Sequence, residues 1–329
     1  MTQLNQIKSI NWQKTIKVNR RKTLYVIFSF LGIYSGLGLF FDYILSPKPG
    51  NEFFFLFVFF ILSLVILFGG FLWGSRVVLA GTNSFEITEQ SSDPLYKKLY
   101  NVVEEMKLAS SLRYMPKVYV LQVDYMNAFA SGWSEKNAAI AISRPLLEAL
   151  TRDELQAVVA HELTHIRNQD TRLLLAVSVV ANFSIFLIDT LFRSFIYNRG
   201  GRRRNNKNSS FVLFGILAVR LLLPILTSVL LFYLSRKREF IADVGGVELT
   251  RDNQSLAEAL VKIHKEHKAQ KEKFSNSYKE TPHESMRRLS YFYDPCSCDI
   301  RNRLNLSELF STHHSLEGRL KALGFSEKI

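Results

Sequence analysis

Four long apolar runs decide what this chain can become. Residues 23–45 hold a single charge, Asp42, and residues 53–73 hold none. At about 1.5 Å per residue, either run is long enough as a helix to cross about 30 Å of hydrocarbon. The connection 46–52 contains Pro47, Pro49 and Gly50 and has room only for a turn, so an antiparallel spanning pair is expected. The runs 173–192 and 211–234 are less clean, with Asn182 and Asp189 in the first and Arg220 and Pro224 in the second. Two arrangements fit them: a second spanning hairpin, in which Asp189 and Arg220 meet at one depth, or a hairpin packed partly on the soluble part. Up to four membrane helices are therefore expected.

The charge balance, 42 basic against 29 acidic residues, would ordinarily raise nucleic acid as a partner. Its excess is concentrated beside the apolar runs. Lys8, Lys14, Lys17, Arg20, Arg21 and Lys22 precede the first run without an acid among them, and Arg199, Arg202, Arg203, Arg204 and Lys207 lie between the third and fourth. That placement reads as membrane topology and anionic headgroups, with no nucleic acid as partner. The positive-inside rule puts the N-terminus in the cytoplasm, and two crossings return the chain there. A +5 loop outside would break the same rule for a second spanning hairpin. The first run is too long for a cleavable signal and no small-residue cleavage site follows it, so it is expected to stay as an anchor. Cys296 and Cys298 are too close in sequence for an unstrained disulfide and read as a reduced pair.

These features divide the chain into a basic cytoplasmic leader (1–22), a transmembrane hairpin (23–74), one half of a soluble domain (75–171), a second apolar hairpin (172–234) and the other half of the domain (235–329). Residues 94–107 and 255–268 have helical spacing, while 117–122 and 138–142 read as short strands. The expected class is α+β, predominantly helical. Residues 269–308 are polar and irregular and read as a surface insertion, and His264 and His267 as solvated.

The sharpest chemical signal is His161-Glu162-Leu163-Thr164-His165. Thr151 and Glu154 form a capping-box pattern ahead of Leu155, Val158, Val159 and Leu163, so the motif belongs on a helix. Histidines four apart share a helix face and reach one zinc ion, with Glu162 beside the metal to move a proton. The plainer alternative is two ordinary histidines flanking a salt-bridging glutamate. A third ligand is needed, and Asn168 and Thr171 exclude the H-E-x-x-H-x-x-G-x-x-H form. Just past the fourth apolar run, Arg238-Glu239-Phe240-Ile241-Ala242-Asp243 places Glu239 and Asp243 on one helix face. Glu239 would complete a two-histidine, one-glutamate site, and Asp243 could accept the free ring N–H of a ligating histidine; an exposed charge pattern is the alternative. An antiparallel hairpin of the third and fourth runs would bring the two halves of the site together at the cytoplasmic face.

These residues resemble the HtpX-like membrane zinc metalloproteases, whose eukaryotic relatives include the CAAX prenyl proteases. The resemblance runs from the first apolar run almost to residue 329. It includes Asn127-Ala128-Phe129-Ala130 with Gly132, Arg144-Pro145-Leu146-Leu147 leading to Asp153-Glu154-Leu155, and Asn168 with Asp170. It implies a zincin-like domain on a membrane anchor, one zinc ion per chain held by His161, His165 and Glu239, and Glu162 as catalytic acid/base. Asn127, Ala128, Phe129 and Ala130 would form an edge strand that binds extended peptide by strand addition. Thr312-His313-His314-Ser315 with Arg319 is similar to the family's T-H-P-P and following arginine, with His314 in place of the first proline. His313 would then stabilise the oxyanion; an ordinary surface or packing histidine is the alternative.

The implied function is a zinc endopeptidase in a bacterial inner membrane, acting at the cytoplasmic side on unfolded or damaged membrane proteins. An intramembrane protease fits less well, because the motif sits in the charged TRDELQ context outside an apolar run. A noncatalytic membrane adaptor that keeps the fold is the reading from another class.

Overall fold

A computed structural model of the chain describes residues 12–45, 53–79, 82–180, 190, 193, 237–270, 291–293 and 316–325. The chain divides into two compact units. One draws on Met1–Arg20, Gly74–Leu175 and Leu234–Ile329; the other on Arg21–Trp73 and Ala176–Tyr233.

The second unit contains most of α1 (Trp12–Leu45) and α2 (Phe54–Leu79). Trp12–Tyr43 and Phe54–Leu72 are long and apolar enough to cross a membrane. Phe57, Ile61, Val65 and Phe68 stand exposed along α2, an outward apolar stripe that suits lipid rather than water. The two helices approach closely at Gly38, where an added Cβ would lie 2.6 Å from the Leu56 Cα. Just beyond, Asp42 uses both carboxylate oxygens to accept from the Phe55 and Leu56 backbone N–H groups, at 2.8 and 2.9 Å. The one acid of the first run thus caps the start of the neighbouring helix, satisfying amides that have no intrahelical acceptor. Asp42→Ala is expected to lower hairpin stability by about 0.5–2 kcal/mol, the usual cost of losing a cap, read as a lower unfolding midpoint in detergent. An unchanged midpoint would contradict the capping role.

The helix α1 begins at Trp12, not near residue 23, so much of the expected leader is helical. Asn19, Thr23, Val26, Phe30 and Tyr34 form one buried stripe at spacings of three or four that crosses the boundary between basic leader and apolar run.

The first unit is built on a four-stranded sheet in the order β1 (Ser84–Ile87), β2 (Lys117–Leu121), β4 (Ala139–Ser143), β3 (Ala128–Ser131). β2 and β4 are parallel, and the outer pairs are antiparallel. The helices are α3 (Pro94–Ala109), α4 (Arg144–Ala149) and α5 (Arg152–Arg167), then α6 (residues 170–180), α7 (Lys237–Thr250), α8 (Gln254–Ala269) and α9 (Leu316–Ala322). α5 is the centre of the unit and packs on α3, α7, α8 and β3. Its expected capping box is present: Glu154 N–H donates to Thr151 Oγ1, and Thr151 N–H to Glu154 Oε2. Gly245 allows α7 to cross α5 tightly, since a Cβ there would fall 2.5 Å from Thr164 Cγ2.

The sequence strands and helices over 94–107, 117–122, 138–142 and 255–268 are found within two residues of their expected ends. Two expectations fail. His267 is buried, 2% exposed, with Nε2 2.9 Å from the Met126 carbonyl, and His264 Nδ1 lies 2.5 Å from the Tyr293 hydroxyl; neither histidine is simply solvated. Within the expected surface insertion, Tyr291, Phe292 and Tyr293 are buried core residues. Residues 211–234 and the Asp189–Arg220 pairing lie outside the described residues, as do Cys296 and Cys298.

Candidate metal centre

His161 and His165 sit one turn apart on α5, both buried, with their Nε2 atoms 3.2 Å from each other. The opposite ring nitrogens are occupied. His161 Nδ1 lies 2.9 Å from Asp243 Oδ1, and His165 Nδ1 lies 3.0 Å from Asp170 Oδ2. A carboxylate can only accept, so each Nδ1 is the donor, and each Nε2 turns a lone pair toward the other. Glu239 on α7 completes the group, with Oε2 3.7 Å from His161 Nε2 and Oε1 3.8 Å from His165 Nε2. One ligand atom from each of the three residues lies within 4.8 Å of the others. For zinc–nitrogen bonds of about 2.0–2.1 Å, tetrahedral geometry puts two nitrogens about 3.3 Å apart. Two lone pairs and a carboxylate converging in a dry site repel one another unless a cation lies among them.

The surrounding charges fit the same ion. Glu162, Glu239, Asp243 and Asp170 are buried carboxylates, while Arg238 and Arg319 are the buried guanidiniums paired with them. With every carboxylate ionised, these described groups carry two negative charges in excess, which a divalent cation balances. Burial lowers the His161 pKa to about 4, overcoming the opposing pull of Asp243, so the ring is neutral as a ligand must be. For His165 burial also opposes the charged ring, but Asp170, Glu239 and Glu162 together raise its pKa.

Asp243 does more than face His161. Arg319 on α9 donates to both of its oxygens, from Nη2 at 2.5 Å and Nε at 2.9 Å, and from Nη1 to the Phe292 carbonyl at 2.8 Å. Burial pushes the Asp243 pKa up, yet Arg319 and His161 bring it below its ordinary value. The Phe292 ring stands edge-on to His161 at 4.9 Å and lies under the Arg319 guanidinium. Glu162 is held between α5 and β3. Among the described residues neither of its oxygens reaches a hydrogen-bond partner, and burial raises its pKa to about 7, with His165 opposing and Glu239 adding to the rise. The backbone of Ala130 is close enough to draw it slightly down.

β3 lies at the sheet edge, as the resemblance implied for Asn127–Ala130, but part of that edge is taken. Phe129 forms an antiparallel bridge with Tyr291, and Phe292 N–H donates to the Ala128 carbonyl at 2.8 Å. Asn127 clamps the same segment, donating from Nδ2 to the Tyr293 carbonyl at 3.0 Å and accepting from the Tyr293 N–H at 3.3 Å. Asn127, Ala128 and Phe129 therefore bind the chain's own residues 291–293. His313 lies outside the described residues. Sequence reasoning named Asp170 only as part of the resemblance, without a role, and missed Phe292 and the pairing of Arg319 with Asp243; three consecutive aromatic residues in a polar stretch were the signal for Phe292.

Two histidines and a glutamate spaced for one divalent ion, with a second glutamate alongside, define the plan of a metallopeptidase site. Residues 95–325 match the family described as "Peptidase family M48", and the chain belongs to that family. It is 33% identical to "Protease HtpX homolog" of Helicobacter pylori (strain J99), covering 95% of this chain and 98% of that protein. It is 32% identical to the protein of the same description from Streptococcus uberis, covering 94% and 97%. Among solved structures, "Crystal Structure of S. mikatae Ste24p" is similar at 19% identity and a TM-score of 0.46, covering 95% of this chain and 67% of that one.

Proposed function

We propose that this chain is a membrane-anchored zinc endopeptidase that hydrolyses unfolded or damaged membrane proteins at the cytoplasmic side of a bacterial inner membrane. The observation that carries the metal and the chemistry is the convergence of His161 Nε2, His165 Nε2 and the Glu239 carboxylate while both Nδ1 atoms are held by carboxylates. The orientation is supported by the basic residues ahead of the first apolar run. The substrate class is supported by the exposed apolar hairpin, long enough to anchor the chain in a bilayer, and by the proteases named HtpX homolog to which the chain is similar. Anionic headgroups are the expected lipid partner of the basic clusters.

His161, His165 and Glu239 would hold the zinc ion, which supplies Lewis acidity to the scissile carbonyl and to water. Asp243 and Asp170 keep the two rings in the tautomer that frees Nε2. Glu162, uncommitted and with a pKa of about 7, accepts a proton from the attacking water at a carboxylate oxygen and returns it to the departing amide nitrogen. The edge from Ala130 onward, beside Glu162, offers backbone groups to an extended segment, which reads little side-chain sequence and suits unfolded clients.

The test is metal removal from the full chain in detergent, followed by zinc addition, with an unfolded membrane protein as substrate. Cleavage should disappear on chelation and return with one zinc ion per chain. Cleavage that persists after the metal is gone would overturn the metallopeptidase reading. Client bound but never cut by the zinc-loaded chain would favour the adaptor.

A further inference from the structure

The carboxylate that holds the second histidine is itself held by a side chain far away in the sequence. Asp170 follows His165 by five residues, which on one continuous helix would put the two about 140° apart. A break in the helix brings them together. α5 ends at Asn168, Gln169 takes a left-handed φ of 58°, and Asp170 folds back so that Oδ2 meets His165 Nδ1 at 3.0 Å. The other oxygen of that carboxylate faces Asn19 on α1. Asn19 Nδ2 donates to Asp170 Oδ1 at 2.5 Å and to the Asn168 carbonyl at 3.0 Å, so one amide group spans the turn and its carboxylate. Asn19 is 7% exposed and Asp170 1%, so water is poorly placed to replace the bond.

Resting on the metallopeptidase reading above, we infer that Asn19, on the helix that continues into the membrane hairpin, is a positioning residue for the metal centre: it fixes Asp170 and through it His165. An aspartate held at only one oxygen can swing about its last torsion. Held at both, it presents Oδ2 to His165 in one orientation, and the His165 Nε2 lone pair stays aimed at Glu239 and His161. Partners of this kind around a ligating histidine are worth about 10–100-fold in metal affinity or activity. Trp12 docks the same stretch of α1 separately, with the Arg167 guanidinium 4.5 Å from its ring centroid. The anchor therefore contributes to the chemistry and does not merely tether it.

The experiment compares full-length chains in detergent, loaded with zinc, for the rate of zinc transfer to a coloured chelator and for kcat and KM on an unfolded substrate. Asn19→Leu removes the donor at similar volume and should release zinc about threefold to tenfold faster, less than Asp170→Ala at about 10–100-fold. Its kcat should fall while KM holds. Asn19→Asp keeps the shape but sets an acceptor against Asp170, and should release zinc at least as fast as Asn19→Leu. Trp12→Ala loosens the docking of α1 without touching Asp170 and should retain zinc like the wild type. Zinc retention by Asn19→Asp at the wild-type rate would overturn the inference, as would equal loss in Trp12→Ala, which would make undocking the cause. A wild-type chain that binds no zinc would overturn the metallopeptidase reading as well, whereas a wild type that binds zinc beside an unaffected Asn19→Asp sinks this inference alone.

Discussion

Replacing Glu162 by glutamine should lower peptide hydrolysis by about 10²–10⁴-fold, the range for a positioned general acid/base, while zinc stays bound. The two effects separate because Glu162 is not among the three ligating groups. Its carboxylate is buried, has no hydrogen-bond partner among the described residues and is raised to about 7, close to where a group that must both take and give a proton works best. Glutamine has nearly the same shape and cannot take the proton. The measurement is single-turnover cleavage of an unfolded substrate, with bound zinc quantified in the same sample. A variant that cuts at the wild-type rate would remove Glu162 from the mechanism, and one that has lost its zinc would make it a ligand.

The second large effect is expected at Arg319. Its guanidinium neutralises Asp243 through two hydrogen bonds in a site where both residues are almost inaccessible. Arg319→Met leaves that carboxylate buried without its counter-charge, and breaking such a pair from one side costs about 3–5 kcal/mol. The loss also reaches the metal, because Asp243 either protonates or turns away from His161. Stability against unfolding and zinc affinity should therefore fall together. A double variant, Asp243→Leu with Arg319→Met, distinguishes the two contributions. Removing both charges should restore most of the stability, since an apolar pair of similar volume is tolerated where an ion pair stood. Zinc affinity should stay low, because His161 has still lost its acceptor. Stability that remains low in the double variant would show that the guanidinium matters chiefly through the Phe292 carbonyl and ring.

What could be read from the amino-acid order follows from how far apart the cooperating residues lie. His161, Glu162 and His165 share a helix whose cap is written in Thr151 and Glu154. Glu239 and Asp243 share another, and their four-residue spacing marks a common face. The contacts between helices carry no such local signature. Asp170 reaches His165 only because the helix breaks at Asn168, and Asn19 meets Asp170 across 151 residues of chain. Arg319 and Asp243 were each visible as part of a motif, but their pairing was not. His267 was legible and misread: Leu256, Leu260 and Ile263 lead to it at helical spacing, so it continues the buried face of α8. The start of α1 was legible in the same way, from a buried stripe that ignores the change from basic to apolar composition.

The groups that complete the metal centre are strung along the chain from Asn19, through His161 to Asp170 and Glu239 to Asp243, and finally to Arg319. The order has a consequence for the ribosome-bound chain. Both histidines emerge long before their third companion, and Asp243 waits for its guanidinium until residue 319 is made. A nascent peptidase assembled in this order is disarmed during its own synthesis, with membrane-inserting segments of the same polypeptide close at hand.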